Sequence, residues 1–432
     1  MRTCEEMIVS LQNDEWNEKW ESLYLMDGSP VRREWAKQRA IGVIEGFRKR
    51  FAPDSNVGVA LFSGPGRTEL GGNHTDHQHG RVLCASVDLD MLACAAPNGL
   101  NVIRICSEGY PEVLVSLDQL QPRDEERNTS AALVRGVAAG MAKSGCALVG
   151  FDAYVTSDVP AGSGLSSSAA FEVLVANILN YYGGGSPDAV RMAKIGQYAE
   201  NVYFGKPCGL MDQMASSVGG AVAIDFADVA EPAVQRIAYD FSQCGHALCI
   251  VDTGSCHADL TDDYSGITGE MRSVAEHFGR QYLREVPEET FFAAIPELRV
   301  SCGDRAVLRA MHFYDDDRRA AEEAAALAAG DFEKFLMLVN ASGVSSATNL
   351  QNIWSVSAPE KQAVAVALAL GKRLLDGTGA IRVHGGGFAG TIQAFVPDEK
   401  LDAFRQGMEA VFGAGKCHVL HIRAVGGCLV MS

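Results

Sequence analysis

Residues 160–172 read PAGSGLSSSAAFE, a run in which a proline, glycines and three consecutive serines lead directly into an apolar segment. Gly162 and Gly164 allow a tight turn that brings backbone N–H groups close to a ligand. Serines can cap the helix that follows, and its N-terminus carries partial positive charge. We therefore predict a socket for a phosphate-sized anion in this stretch.

The alternative is that this stretch is a solvated Gly/Ser turn. Its sequel, AAFEVLVANILNYYGG, predicts an amphipathic helix that ends near Gly183. Because so apolar a helix is buried, the serines stand at the end of a packed element. The stretch is not a Walker loop, because GxxxxGK(S/T) does not occur in the sequence.

Composition narrows the class of protein. The 432 residues are 47% hydrophobic and 21% charged, with a formal net charge of −17, which disfavours nonspecific nucleic-acid binding. Apolar runs are too short for a membrane span, and the N-terminal segment lacks the apolar core of a signal peptide. The 12 cysteines form no CxxC pair, which is typical of reduced thiols. We expect a cytoplasmic protein of two or three domains, with no membrane or obligate protein partner.

The order of elements predicts the α+β class. Residues 1–55 have a charged, helical pattern, and strands and helices then follow without strict βαβ alternation or a repeat. Residues 82–97 and 101–107 resemble two strands paired across an Asn98-Gly99 turn. We place a domain boundary between residues 225 and 240.

A second cluster, GPGRTELGGNHTDHQHG at residues 64–80, concentrates polar side chains between glycines. Such a loop predicts a binding site. Three histidines and an aspartate within six residues also suggest a metal site, but their order differs from the metallo-hydrolase pattern HxHxDH. A surface turn with incidental histidines is the remaining alternative.

Two more segments carry candidate residues. In ENVYFGKPCGLMDQMASS, residues 200–217, a Gly/Pro break separates Glu200 from Asp212, so the two carboxylates can converge from different elements or can be solvated helix charges. Asp212 lies between methionines, and a buried carboxylate needs a partner. VHGGGFAG, residues 383–390, fits GxGxxG, but a strand follows it, so we reject a dinucleotide site and expect its backbone to pass close to another group.

These clusters together resemble the galactokinases. PGRTELGGNHTDHQHG resembles their signature PGRVNLIGEHTDYNxG, and PCGLMDQ matches their PCGIMDQ. PAGSGLSSSA and GGGFAG resemble the nucleotide loop and third motif of the wider GHMP small-molecule kinases. The resemblance runs from about residue 56 to the C-terminus. It implies the two-domain GHMP kinase fold with the active site in the interdomain cleft: a helical extension at 1–55, an N-terminal domain at 56–230 and a C-terminal domain at 231–432.

The resemblance also implies an enzyme that uses ATP and Mg²⁺ to phosphorylate the anomeric hydroxyl of galactose. It makes Asp212 the catalytic aspartate, with Arg67 as its partner, and places Mg²⁺ on Ser168 and Glu200. The implied sugar contacts are Asn73, His74, Thr75, Asp76 and Tyr264. The implied nucleotide contacts are Ser107, Gly162, Ser163, Gly164, Leu165, Ser166, Ser167 and Ser168.

Departures from the family pattern leave the substrate open. The family glutamate that accepts a hydrogen bond from the sugar C6 hydroxyl is Asn73 here, and the family tyrosine is His77, which would add positive charge if protonated. Both changes favour a kinase of galacturonate as the alternative, and we expect Asn73→Glu to raise the preference for galactose over galacturonate about tenfold or more. The adenine-stacking aromatic has Ser130 as its nearest match in RNTSAALVRG. A non-catalytic sugar sensor is a further alternative.

Overall fold

The structure is a computed structural model that describes residues 1–24, 29–54, 56–160, 164–185, 187–206, 208–254 and 261–432. The helices are α1 Cys4–Gln12, α2 Asn17–Tyr24, α3 Pro30–Phe51, α4 Ser130–Lys143, α5 Ser167–Gly183, α6 Ala189–Tyr198, α7 Met211–Val218, α8 Thr261–His277, α9 Glu288–Ala293, α10 Ile295–Ser301, α11 Asp304–Ala328, α12 Phe332–Ser345, α13 Ala363–Leu375 and α14 Leu401–Phe412. The strands are β1 Ala60–Gly71, β2 Arg81–Pro97, β3 Val102–Ser107, β4 Val113–Ser116, β5 Phe151–Ser157, β6 Ala221–Asp225, β7 Ala233–Ile237, β8 His246–Asp252, β9 Ala380–His384, β10 Thr391–Pro397, β11 Cys417–Leu420 and β12 Cys428–Met431.

The strands in these ranges form two mixed or antiparallel sheets, which confirms the α+β class. The first sheet has the order β12-β1-β2-β5-β3-β4, with β6 added beside β2 and β7 beside β6. The second sheet has the order β11-β8-β10-β9. The chain therefore returns to the first sheet, through β12, after completing the second. The domain boundaries expected from the sequence stay a prediction.

The predicted pairing of β2 with β3 is wrong, because β5 lies between them. β5 pairs antiparallel with β2 and parallel with β3. The turn residues Asn98 and Gly99 are present, but Asn98 donates from Nδ2 to Asp152 Oδ1 at 2.7 Å, at the start of β5. An Asn-Gly dipeptide predicts that the chain changes direction, but it does not specify which strand pairs with β2.

The first sheet is covered on both faces, because successive side chains of a strand point to opposite sides. Phe62 of β1 packs with apolar residues of α4 and α5. Leu61, its neighbour, packs with apolar residues of α1, α2 and α3, the helices of the N-terminal segment. Among the described helices, none is both long and apolar enough to cross a membrane.

Candidate active site

The carboxylate of Asp212 and the guanidinium of Arg67 form an ion pair, although 145 residues separate them in the chain. Arg67 lies in β1 and Asp212 in the first turn of α7, and Arg67 Nε donates to Asp212 Oδ1 at 2.6 Å. The Asp212 side chain keeps 28% of its surface exposed. Burial acts to raise the pKa of Asp212, but Arg67 and the hydroxyl of Ser166 outweigh it and lower that pKa. Asp212 is therefore held ionised.

The serine loop contacts this pair directly. Ser166, with φ +56°, stands where we expected a cap for α5, but its hydroxyl donates instead to Asp212 Oδ2 at 2.7 Å. A capping residue usually has extended backbone dihedral angles, whereas Ser166 is left-handed, which explains why it makes no cap bond. Arg67 Nη1 donates to Gly164 O, and the Arg67 amide donates to Leu165 O at 3.0 Å.

A cavity of about 620 Å³ adjoins the serine loop and brings three of the predicted nucleotide residues together, namely Ser107, Ser167 and Ser168. Gly162 and Ser163 lie outside the described residues. Phe171 and Phe204 form an aromatic part of the cavity wall, beside Ser130. Neither ring was predicted from the sequence, because the adenine-stacking aromatic residue was expected within RNTSAALVRG.

Glu200 and Ser168 meet at the edge of this cavity. The Ser168 hydroxyl donates to Glu200 Oε1 at 3.2 Å, and Glu200 lies in a π-helical turn, Ala199–Phe204. Gln213 Nε2 donates to Glu200 Oε2 at 2.8 Å, and Lys206 Nζ lies 3.7 Å from Oε1. Sequence reasoning missed Gln213 and Lys206, although both stand in the quoted segment around PCGLMDQ. A hydroxyl and a carboxylate beside this cavity suit Mg²⁺, which takes few protein ligands and completes its shell with phosphates and water.

The histidine-rich loop carries Asp76 at the start of a short 3-10 turn, Asp76–Gln78. A side chain on Gly209, in PCGLMDQ, would collide with the Asp76 carboxylate, so the two motifs touch here. Burial raises the pKa of Asp76 to about 6, against the bond that it accepts from the His77 amide. Thr75 is fully buried, and its hydroxyl contacts the carbonyls of Gly72 and Arg81 within the loop.

His74 and His77 are neutral. The carbonyl of Gly386 can only accept, so His74 Nε2 donates to it, at 2.9 Å, and His74 Nδ1 accepts from His77 Nε2 at 3.2 Å. Burial lowers the pKa of His74 to about 4 and that of His77 to about 3. His77 is therefore unprotonated at neutral pH and does not supply the positive charge that it would add if protonated.

Asn73 is fully buried, and its carboxamide binds other parts of the protein. Nδ2 donates to Glu69 Oε1 at 3.1 Å and to Gly385 O at 2.7 Å. Oδ1 accepts from Asn352 Nδ2 at 2.9 Å and from Ser346 Oγ at 3.3 Å. Both N–H bonds and both lone pairs are thus engaged internally, in contrast to the free sugar contact that we expected.

The glycine run at 385–387 passes close to other groups, as the sequence predicted. A side chain on Gly386 would collide with the ring of Tyr264, and one on Gly387 would collide with Asn352. The Tyr264 hydroxyl donates to Gly387 O at 2.8 Å. Tyr264 therefore lies against this run, whose carbonyls also hold His74 and Asn73.

Arg382 lies in β9, the edge strand of the second sheet that precedes the glycine run, and it forms an ion pair with Glu69 of β1. Both side chains are buried, with 0% and 5% of their surface exposed. Burial raises the pKa of Glu69, and Arg382 and Asn73 oppose that rise. The sequence analysis missed Arg382, because its motif gave no indication of the partner on β1.

Two family models match parts of the chain. The model for the GHMP kinases N terminal domain matches residues 132–220, and that for the galactokinase galactose-binding signature matches residues 45–97. The first range contains Ser168, Glu200 and Asp212, and the second contains Arg67 and the histidine-rich loop. The residues predicted for catalysis and for Mg²⁺ therefore fall within the matched ranges, whereas Ser107, Tyr264 and the glycine run at 385–387 lie outside them.

Similar proteins agree with these models. The chain is 29% identical to a galactokinase of Actinobacillus pleuropneumoniae, over 79% of this chain and 86% of the relative. It is 29% identical to a galactokinase of Streptomyces coelicolor, over 86% and 92%. The crystal structure of Lactococcus lactis galactokinase complexed with galactose has a TM-score of 0.74 and 25% identity, over 89% and 97%. Methanococcus jannaschii mevalonate kinase shares the fold, with a TM-score of 0.60 over 86% and 99% at 14% identity.

Proposed function

We propose that this chain, which belongs to the galactokinase family of the GHMP kinases, transfers the γ-phosphoryl group of ATP to the anomeric hydroxyl of galactose. The products are galactose 1-phosphate and ADP. The observation that carries the proposal is the Arg67–Asp212 pair, whose second carboxylate oxygen is held by Ser166 of the serine loop. One ionised carboxylate is thereby fixed between a nucleotide cavity and a polar loop suited to a sugar.

In this proposal Asp212 orients the anomeric hydroxyl and accepts its hydrogen bond. Because Arg67 and Ser166 lower the pKa of Asp212, the carboxylate is a weak base, and orientation is its larger contribution. Phosphoryl transfer has a loose transition state, so positioning and neutralisation of charge supply most of the rate. Arg67 places its guanidinium where it balances both Asp212 and the phosphoryl group.

The nucleotide occupies the cavity at the serine loop. Ser107, Ser167 and Ser168 lie in its wall, and Phe171 and Phe204 offer apolar contact to the base. Gly164 and Leu165 position the loop through Arg67. Ser168 and Glu200 would hold Mg²⁺, which when bound neutralises phosphate charge. A cytoplasmic location is part of the same proposal.

The sugar binds at the histidine-rich loop and the glycine run. Asp76 and Tyr264 present polar atoms there. Both ring nitrogens of His74 are bonded within the protein, so His74, like Thr75, shapes the loop. Asp76, once ionised, can accept bonds from two sugar hydroxyls. We assign Asn73 a positioning role, because its carboxamide ties the loop to Gly385 and Asn352.

The charges around this loop favour galactose over galacturonate. A C6 carboxylate removed from water needs a cationic partner. His74 and His77 are neutral, and Arg382 is already paired with Glu69. Of the other cations that act on these histidines, Arg309 is paired with Glu270 and Arg272 is exposed to solvent. A C6 hydroxyl requires only neutral donors and acceptors, which this region supplies.

The test is the release of ADP from ATP in the presence of a panel of sugars, with Asp212→Asn as the inactive control. We expect turnover with galactose, and a kcat/KM for galacturonate lower by about a hundredfold or more. Turnover of galacturonate faster than that of galactose would make galacturonate the substrate instead. Galactose binding without ADP release would identify a sugar sensor instead.

A further inference from the structure

Arg39, on α3 of the N-terminal segment, reaches two carboxylates in the first sheet. Its side chain is only 9% exposed. Nη1 donates to Asp90 Oδ1, and Nη2 donates to Asp90 O at 2.9 Å. Nε lies 2.9 Å from Asp158 Oδ2. A single guanidinium thus connects α3 to β2 and to the residue that follows β5.

Both carboxylates adjoin the wall of the nucleotide cavity. Met91, next to Asp90, lines the cavity, as do Val159 and Pro160, which follow Asp158. The amide of Asp158 also donates to Asp90 O at 3.0 Å, so the two cavity-lining segments are joined to each other. A displacement of Asp158 would therefore move part of the cavity wall.

The two arginines Arg39 and Arg67 hold opposite ends of one stretch of chain. Arg39 pairs with Asp158 before the serine loop, and Arg67 binds the carbonyl of Gly164 after its first glycine. Arg67 belongs to the proposed catalytic site. Arg39 does not reach Asp212 or the cavity itself, so its effect on the site must pass through Asp158 and Asp90.

We infer that Arg39 is a positioning residue for nucleotide binding, through which helix α3 fixes the end of β5 at the ATP cavity. The inference rests on the proposed function for the identity of the nucleotide. A guanidinium suits this role because two of its nitrogens, Nη1 and Nη2, donate to Asp90, while Nε forms an ion pair with Asp158 that lacks hydrogen-bond geometry.

Removal of Arg39 leaves the Asp90 side chain with other partners. Arg423 Nη1 lies 3.1 Å from Asp90 Oδ2, and the Tyr24 hydroxyl donates to the same oxygen at 3.0 Å. Asp158 has 36% of its side chain exposed, and Arg39 is the cation that pairs with it in the structure. The loss therefore removes the ion pair to Asp158 and the bond to Asp90 Oδ1, whereas Asp90 Oδ2 keeps the compensation of its charge by Arg423.

The experiment measures the KM for ATP and for galactose, and the Kd for ATP with Mg²⁺ in the absence of sugar, for the wild-type chain and its variants. We expect Arg39→Gln to raise the KM and Kd for ATP about three- to tenfold, with the KM for galactose changed less than about twofold. Asp158→Asn, a milder change at a half-exposed site, should raise the same two ATP constants in the same direction.

A double-mutant cycle gives the decisive comparison. Each substitution removes the same Arg39–Asp158 ion pair. The double variant Arg39→Gln/Asp158→Asn should therefore bind ATP about as weakly as Arg39→Gln alone. Additive effects, or equal changes in the constants for ATP and galactose, would overturn the inference. The variant Asp158→Asn keeps the inference testable if Arg39→Gln does not fold.

Arg32→Gln is the matched control, because Arg32 lies on the same helix and pairs with Asp88 at 2.7 Å, away from β5. We expect its constants for ATP to stay within about twofold of wild type. An equal loss in Arg32→Gln would mean that α3 acts only through general stability. If the wild-type chain itself bound no ATP, the proposed function would fail, whereas normal ATP binding by the Arg39 variant would overturn only the present inference.

Discussion

The ion pairs Arg67–Asp212 and Arg382–Glu69 have the same chemistry but different surroundings. Asp212 keeps 28% of its side chain exposed beside the nucleotide cavity, and its pKa is lowered. The Glu69 side chain is only 5% exposed, and burial raises the pKa of Glu69. The partly exposed Asp212 carboxylate remains accessible to a substrate although it is paired. The buried Arg382–Glu69 pair is not accessible, and it connects β1 to the second sheet.

The largest effect is expected from Asp212→Asn. The amide keeps the shape and can still bond to a hydroxyl, but it cannot balance Arg67 or hold the hydroxyl as an anion does. We expect kcat to fall about a hundredfold or more, with galactose binding still measurable by calorimetry. Near-normal turnover would remove Asp212 from the catalytic role.

Glu69→Gln should act on stability. It leaves the Arg382 guanidinium buried with less compensation, which typically costs about 3–5 kcal/mol in the free energy of unfolding. Denaturant unfolding of this variant and of Asp212→Asn measures the difference between the pairs. A stable but inactive Glu69→Gln would show that Glu69 contributes to chemistry, and the contrast between the two pairs would fail.

Asn73→Glu should destabilise the protein by about 2 kcal/mol, because its carboxylate would face Glu69 and the Gly385 carbonyl, both acceptors. This replaces the gain in galactose preference expected from the sequence. The family signature has asparagine where this chain has Glu69 and glutamate where it has Asn73. The double variant Glu69→Asn/Asn73→Glu should therefore lose about 1 kcal/mol or more less in the free energy of unfolding than the sum of the two single variants. Strictly additive losses would contradict a direct interaction between residues 69 and 73.

Glu200 extends the comparison to a carboxylate that is paired only loosely, with Lys206 at 3.7 Å. Ser168→Ala and Glu200→Gln should each raise the Mg²⁺ concentration for half-maximal rate about fivefold, since each removes an oxygen ligand or its charge. Ser130→Ala, in the same cavity wall, is the control and should leave this concentration unchanged. Wild-type behaviour of both variants at low Mg²⁺ would place the metal elsewhere.

The smallest effect concerns pH. Burial raises the pKa of Asp76 to about 6, so the carboxylate is ionised above that pH and protonated below it. The ionised form accepts more hydrogen bonds, and the KM for galactose should therefore rise about fourfold between pH 7.5 and 5.5. The KM for ATP, measured in the same series, should show no such step. A flat profile for galactose would separate Asp76 from sugar binding.

The sequence was sufficient to predict the α+β fold and the groups that meet at Asp212. Arg67, Ser168, Glu200 and Asp212 stand in motifs that resemble those of galactokinases and GHMP kinases, and this resemblance implied their roles. It did not predict that Asn73 is engaged internally, because its partners Asn352 and Gly385 lie 279 and 312 residues away. Nor did it predict neutral histidines, since burial, and not residue type, sets their pKa values.

The return of β12 to the first sheet affects how the chain can fold during synthesis. Domains usually fold as units while the ribosome is still adding residues. Here the strand that pairs with Leu61 and Phe62 is translated only after β8 to β11, and so is Arg423, which lies 333 residues from its partner Asp90. Until then the outer edge of β1 is unpaired. In a nascent chain stalled before residue 423, the free backbone groups of this edge can pair with strands of other chains and lead to aggregation.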